Sequence, residues 1–374
     1  MKSKCFKIIL GVFMVISIAV MAQADEPYNL GADLAVTGTG ALYCKDGLDA
    51  ITLAVKEINA QGGFLGKHPI KLFIRDTQTK PDVAVREARD LILRDKVRTI
   101  LGTYSSACAV AIKPVCQEYK VGVAELAKKK GWKDFVTIAS DYEWGRSTQN
   151  NTVDLLSKVA PDLKLKKEFW PPLGETQFTS YITAIMAQKP DFVIGSIASK
   201  DNVAWMKQAK AYGFFDKIPY PGSLISVSEL ILQAKTITRG MVGLCRAPFF
   251  AHLDVPMMAN FVENFRKVYD RYPSDWAVME YDAVYVLKQG IEKAGSIDSD
   301  KVKDALKGAT VDTTRGKLYF RDIDNQLSCS SYIGVVADDP KYPFPIYHDL
   351  VEVKGPDSWR PQAEIEAARA GKTE

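Results

Sequence analysis

The chain has 374 residues, 47% of them apolar and 25% charged, with six cysteines, three histidines and a formal net charge of +4. That length exceeds what one hydrophobic core ordinarily holds, so two domains are expected. Charges of both signs are mixed without a basic stripe, which argues against a nucleic-acid partner, and His68, His252 and His348 each stand alone, which argues against a metal centre.

At the amino terminus Lys2, Lys4 and Lys7 precede an apolar run from Ile8 to Met21, and Ala22-Gln23-Ala24 offers small residues where a signal peptidase reads. A membrane-spanning helix needs about 20 apolar residues. This run is shorter and ends in a cleavage site, so residues 1–24 are read as a secretory signal peptide rather than an anchor. Cys5 lies before the run, so no lipid anchor is expected. Cleavage removes three lysines and no acids, leaving a mature chain near about +1. Of the remaining cysteines, Cys44, Cys108, Cys116, Cys245 and Cys329, none has zinc-like spacing. Export permits disulfides, but the odd number leaves at least one thiol outside an intrachain pair.

Leu48, Ile51, Val55 and Ile58 share one helical face between Gly47 and Asn59, and Gly62-Gly63 stops that helix. Ile70 to Arg75 alternates as a strand. Pro81-Asp82 opens a second helix with Val85, Ala88 and Ile92 at helical spacing. Arg98 to Gly102 reads as a buried strand, and Ser105 to Tyr119 as a helix. The rhythm then breaks, because only Lys120-Val121-Gly122 separates that helix from another starting at Val123. A doubly wound sheet wants a strand there. Beyond it, strands are expected at Phe135–Ala139, Phe192–Gly195 and Gly240–Ala247, with helices at Asn150–Val159 and Asn202–Tyr212. Helices at Pro256–Tyr272, Ala277–Ala294 and Asp300–Leu306 follow, then strands at Gly316–Phe320, Ser331–Val336 and His348–Val353. After Pro361 the composition reads as a frayed helix or disorder. Repeated strand–helix units imply an α/β fold with parallel sheets covered on both faces.

Ser105 and Ser106 follow a strand and open a helix, where unpaired backbone N–H groups and the helix dipole suit a carboxylate; ordinary N-capping explains the same residues. Tyr43 is placed in the loop after the first strand, and Trp144 in a corresponding later loop, where α/β proteins bind ligands. Packing between domains is the plainer reading of Trp144. Asp141 and Glu143 read as solvated loop acids, since no nucleophile or metal partner accompanies them. No nucleophile elbow, phosphate loop or dinucleotide fingerprint is present, so neither enzymatic chemistry nor a cofactor is expected.

Several segments, in order, resemble the leucine/isoleucine/valine-binding branch of the type I periplasmic binding proteins. They are Asn59-Ala60-Gln61-Gly62-Gly63-Phe64-Leu65-Gly66, the strand ending in Asp76 with the helix Pro81 to Ile92, and Gly102-Thr103-Tyr104-Ser105-Ser106. Asp141-Tyr142-Glu143-Trp144-Gly145, Phe178 to Asp191, Tyr281-Asp282-Ala283 and Gly316-Lys317-Leu318-Tyr319-Phe320 continue the match. The resemblance implies two doubly wound α/β lobes joined by a three-crossover hinge and closing on a ligand. Lobe one would be 26–122 plus 248–326, lobe two 123–247 plus 327–360, and 361–374 a tail. It places Tyr43, Tyr104, Ser105 and Ser106 on lobe-one contact positions and Trp144, Ala198 and Ser223 on lobe-two ones; Tyr281, on an amphipathic helix, reads as core rather than contact. Amino-acid binders often carry an acid where Ser223 stands, and a strand with a ligand-contacting loop where Val121 meets Val123; this sequence has neither. The implied protein is a periplasmic, monomeric receptor that passes a small carboxylate-bearing solute, an aliphatic amino acid or an aromatic acid, to ABC-transporter permease subunits. A sensing module of a signalling receptor and a binding-impaired relative are the alternatives. Amino-terminal sequencing of protein recovered from the periplasm is expected to start at Asp25; an intact leader would refute the processing.

Overall fold

A computed structural model describes residues 26–102, 127, 130–221 and 223–371. The signal peptide, the helix read at Ser105–Tyr119, the break at Val121–Val123, and Tyr104, Ser105, Ser106, Cys108 and Cys116 lie outside the described residues.

The first lobe is built on β1 (Tyr28–Leu34), β2 (Ile70–Asp76) and β3 (Thr99–Gly102), all parallel, in the order β2-β1-β3. The long helix α1 (Ala41–Ala60) follows β1, and α2 (Pro81–Leu93) follows β2. The second lobe repeats the pattern with β4 (Asp134–Ala139), α3 (Glu143–Val159), β5 (Lys164–Phe169), α4 (Thr179–Gln188), β6 (Phe192–Ser196) and α5 (Ser199–Ala211), its strands parallel in the order β5-β4-β6. After the short α6 (Phe214–Lys217) and β7 (Ser223–Leu224), α7 (Val227–Leu232) leads to β8 (Val242–Cys245). Next come α8 (Pro256–Tyr269), α9 (Asp275–Ala294), α10 (Ser299–Leu306) and the antiparallel pair β9 (Thr310–Thr313) and β10 (Gly316–Tyr319). The chain then returns as β11 (Ser331–Ala337) and β12 (Ile346–Val353), completing the four-stranded order β12-β11-β8-β7. The tail forms α11 (Gln362–Arg369), the helical of the two outcomes read for it.

Each lobe has its own core. One joins Leu30 and Ala32 of β1 to Ile51 and Ile58 of α1, Phe261 and Phe265 of α8, and Val278 and Tyr281 of α9. The other joins Val136 and Ile138 of β4, Val193 of β6, Trp205 of α5 and Val336 of β11. The strict helical spacing of Leu48, Ile51, Val55 and Ile58 therefore does what it predicts: it packs α1 against α9 and β1. Gly62 and Gly63, at φ +94° and +82°, end the run at α1 in a conformation other residues resist.

The structure corrects two placements. Tyr43 is not in a loop but in the first turn of α1, which begins six residues before Gly47. Glu143 and Trp144 are not in a loop either; they occupy the first turn of α3, which starts seven residues before Asn150. Both helix starts escaped the sequence reading for a physical reason. Gly40 at the α1 N-cap has no capping side chain, and the polar stretch Arg146 to Asn151 hides the apolar spacing of α3. Asp141 remains outside the helix and pairs with Arg146 at 2.6 Å. β5 was not read as a strand because it is an edge, and its Lys-rich exposed face lacks apolar alternation. Among the described residues, Cys44, Cys245 and Cys329 are free thiols.

A buried ion pair ties α9 to the β9–β10 turn. Asp282 accepts from the Thr314 backbone N–H at 2.7 Å and from Arg315 Nε at 3.0 Å, and the two side chains are only 2% and 6% exposed. Removing one partner strands a buried charge, so Arg315→Ala is expected to cost about 3–5 kcal/mol, read as a lowered denaturant midpoint; an unchanged midpoint would show the pair to be idle.

Candidate interlobe ligand site

The strand orders fix where a site can form. In both β2-β1-β3 and β5-β4-β6 the first strand of the lobe lies in the middle, so chain direction across the sheet reverses beside it. The crevice beyond the carboxyl ends of the strands at such a switch point is where open α/β sheets bind ligands. From lobe one the loop after β1 leads into α1 and Tyr43. From lobe two the loops after β4 and β6 lead to Trp144 and Ala198. Tyr43, Trp144 and Ala198 form one buried cluster, with Leu42, Tyr142 and Trp276 packed around it. Three of the seven sequence-predicted site residues are thus brought together from the two lobes. Ser223 is placed on β7, its backbone paired with Gly243 of β8. Tyr104, Ser105 and Ser106 lie outside the described residues.

Local chemistry holds the loops. Asp76 at the end of β2 accepts from the Thr37 hydroxyl (2.6 Å) and backbone N–H (3.1 Å), and the Thr79 hydroxyl accepts from the Gly40 N–H at 2.9 Å. Gly38 between them has φ +81°, and a Cβ there would sit 2.6 Å from the Gln78 carbonyl oxygen. In lobe two a Cβ on Gly145 would fall 1.9 Å from the Ser140 carbonyl oxygen, so the first turn of α3 can press directly onto the loop after β4.

The residues that join the lobes were mostly not legible beforehand. Tyr43 is fully buried. Its hydroxyl donates to Glu229 Oε1 at 2.8 Å and accepts from the Ser199 backbone N–H at 2.7 Å. Asn202 Nδ2 donates to the same carboxylate oxygen at 3.1 Å, and the Ser226 N–H donates to Glu229 Oε2 at 2.6 Å. Ser199 also donates through its hydroxyl to the Thr39 carbonyl at 2.7 Å, and Lys200 Nζ reaches the Gly38 carbonyl at 3.3 Å. Ser199 has φ +58°, a left-handed conformation that costs on the order of 1–3 kcal/mol for a non-glycine residue and persists where neighbours impose it. Trp276 at the start of α9 stacks on Tyr43 with ring centroids 5.1 Å apart, and the Arg246 guanidinium lies 5.0 Å from the Trp276 ring centre.

Burial governs the acids here. It pushes the Glu229 carboxyl up to about 7, against the pull of its hydrogen bonds from Asn202, Ser226 and Tyr43. It pushes Asp275 up to about 6 although Arg246 opposes the shift, and Asp201 up to about 6 although the Gly174 N–H bonds it. An acid does stand six residues beyond Ser223, at Glu229 of α7. Its signal was in the sequence: Ser226-Val227-Ser228-Glu229 has capping-box spacing, and both reciprocal bonds of the box are present on α7. What the spacing could not tell is that Tyr43 would share that carboxylate.

The profile of the family described as periplasmic binding protein matches residues 27–124 and 117–341. The chain belongs to that family. The two matched stretches meet at the interval where the strand–helix rhythm breaks. Leu/Ile/Val-binding protein homolog 7 of Brucella suis biovar 1 is 22% identical over 377 residues, covering 87% of this chain and 92% of that protein. A periplasmic binding protein from Burkholderia mallei superposes with a TM-score of 0.76 at 21% identity, over 90% of this chain and 97% of the other. A solute-binding protein of an ABC transporter from Rhodopseudomonas palustris HaA2, solved with p-hydroxybenzoic acid, gives 0.75 at 20% identity, over 88% and 98%. The fold is that of type I periplasmic binding proteins, and these similar proteins are solute binders rather than enzymes. Among the described residues no helix is long and apolar enough to cross a membrane.

Because Ser226 caps α7 and thereby aims Glu229, Ser226→Ala is expected to lower stability by about 0.5–2 kcal/mol, the usual range for losing a helix cap. Chemical denaturation checks it; an unchanged midpoint would mean that the box adds nothing.

Proposed function

We propose that this chain is the extracytoplasmic receptor of an ABC importer, closing its two lobes on a small carboxylate-bearing solute and presenting it to permease subunits. The observation that carries the reading is the junction itself, where Tyr43 from one lobe meets Trp144 and Ala198 from the other at both topological switch points. In this reading the lobes are 26–122 plus 248–326 and 123–247 plus 327–360. A monomer in the periplasm fits the same reading. Tyr43, Trp144, Ala198 and Ser223, with Tyr104, Ser105 and Ser106, are the proposed contacts. Lobe one would hold the carboxylate at Ser105 and Ser106, where the sequence is read as opening a helix whose first N–H groups would be unpaired.

Two ligand classes have support. An aliphatic amino acid is suggested by the name of the Brucella relative. An aromatic acid is suggested by the p-hydroxybenzoic acid of the Rhodopseudomonas structure and by the rings of Tyr43, Tyr142, Trp144 and Trp276 gathered at the junction. Native mass spectrometry of purified protein identifies what is retained, and thermal-shift titration with branched-chain amino acids and with benzoates separates the classes. Saturable stabilisation by one class is expected, with a smaller scattering radius at saturation. Ser106→Ala then loses about 1–3 kcal/mol of affinity, the scale of a hydrogen bond to a charged group. Tyr43→Ala and Trp144→Ala weaken binding through lost apolar contact. Wild-type affinity in all three variants would overturn the site.

A further inference from the structure

We propose that Glu229 is the positioning residue of lobe closure: acting through Tyr43, it holds the two lobes together and makes the open–closed equilibrium depend on pH. The inference rests on the two-lobed capture reading, but it concerns the ligand-free protein and stands or falls without a ligand.

Both hydrogen-bonding capacities of one hydroxyl are spent across the junction. Tyr43 rides on α1 of lobe one; its donor goes to Glu229 on α7 and its acceptor to the N–H of Ser199 at the start of α5, both beyond the β6 strand of lobe two. Asn202, one turn along α5, holds the same carboxylate oxygen, and the Ser226 N–H holds the other. The carboxylate therefore has a fixed direction before Tyr43 arrives, and the hydroxyl is the group that closure adds. Separating the lobes withdraws Tyr43 and admits water to Oε1. The wholly buried state of Glu229 thus belongs to the closed form.

That difference carries a sign. In the closed form burial lifts the Glu229 carboxyl from the ordinary 4.5 to about 7. Once water reaches it, the carboxyl moves back toward the ordinary value. Between the two values the closed form binds the extra proton, so closure is favoured on the acid side and weakened as pH rises through about 7. Protonation keeps the contact, because a hydrogen remains between Oε1 and the Tyr43 oxygen whichever of them donates it.

Other charged groups on the surrounding elements must be separated from this effect. On α5 they are Lys200, bonded to the Gly38 carbonyl, and Asp201, bonded by the Gly174 N–H. On α9 they are Asp275, which accepts from the Val227 N–H at 3.2 Å, and Glu280, beside Gly47 of α1. On α1 itself Asp46 pairs with Arg271 at 2.8 Å, and Arg246 lies over Trp276. Asp201, Asp275 and Glu280 are raised by burial as well. A pH response of the whole protein would therefore not identify Glu229, whereas its loss in Glu229→Gln would, since glutamine preserves shape and the capping spacing.

Small-angle scattering of full-length mature protein, stripped of ligand and measured from pH 4.5 to pH 8, tests the proposal. Wild type is expected to shift from a smaller to a larger radius of gyration as pH rises across the interval between the ordinary value of 4.5 and about 7. Glu229→Gln is expected to keep one radius throughout, and Tyr43→Phe to be more open than wild type at every pH. A wild-type radius that does not move, or a wild-type response in Glu229→Gln, overturns the proposal. If Glu229→Gln does not fold, Tyr43→Phe decides alone, and wild-type compactness in that variant overturns it. Thermal-shift binding by the wild type, measured separately, tells failure of this latch from failure of the capture reading.

Discussion

Taking a carboxylate out of water is expensive, and it is tolerable only where hydrogen bonds replace the lost solvent. Glu229 has no exposed surface, and its replacements come from three directions: the Ser226 backbone, the Asn202 side chain and the Tyr43 hydroxyl. The first two belong to the same lobe as the acid. The third must be carried in by α1 from the other lobe. One carboxylate is therefore satisfied from both sides of the junction. The left-handed Ser199 and the bond from its hydroxyl to Thr39 follow from that meeting.

The same region shows how helix starts and acids are matched. Asp201, Glu229 and Asp275 each stand in the first turn of a helix, where the dipole favours negative charge. These N-termini are already supplied with a carboxylate from their own chain. Arg246 offsets part of the acidity by lying against Trp276 and stabilising Asp275.

Remote packing supports the junction. The Asp282–Arg315 pair locks the β9–β10 turn onto α9, the helix whose first turn presents Trp276 to Tyr43. Farther along α9, Tyr281 and Tyr285 donate to Glu57 of α1 at 2.5 and 2.9 Å. The two helices that carry Tyr43 and Trp276 are therefore bonded to each other along their length, which keeps the stacked rings in register.

By itself the sequence determined the class of fold, because helical and strand periodicities are local and repeat along the chain. Leu48, Ile51, Val55 and Ile58 were enough to predict α1, and Gly62-Gly63 its end. Order and spacing of short segments carried the family, the alternation of elements placed Tyr43 and Trp144 near strand ends, and the resemblance added Ala198. The capping box at Ser226 and Glu229 was equally readable as a pattern. Only the tertiary structure decided what that acid does. Tyr43 and Glu229 are separated by 186 positions, and no local periodicity links residues whose sole relation is that two sheets, each winding outward from its central strand, bring their carboxyl ends face to face. The helix starts after Gly40 and at Glu143 were likewise settled by packing: a capless turn and a largely polar turn are helical here, and the loops before them are pinned by Asp76, Thr79 and the contact of Gly145 with Ser140.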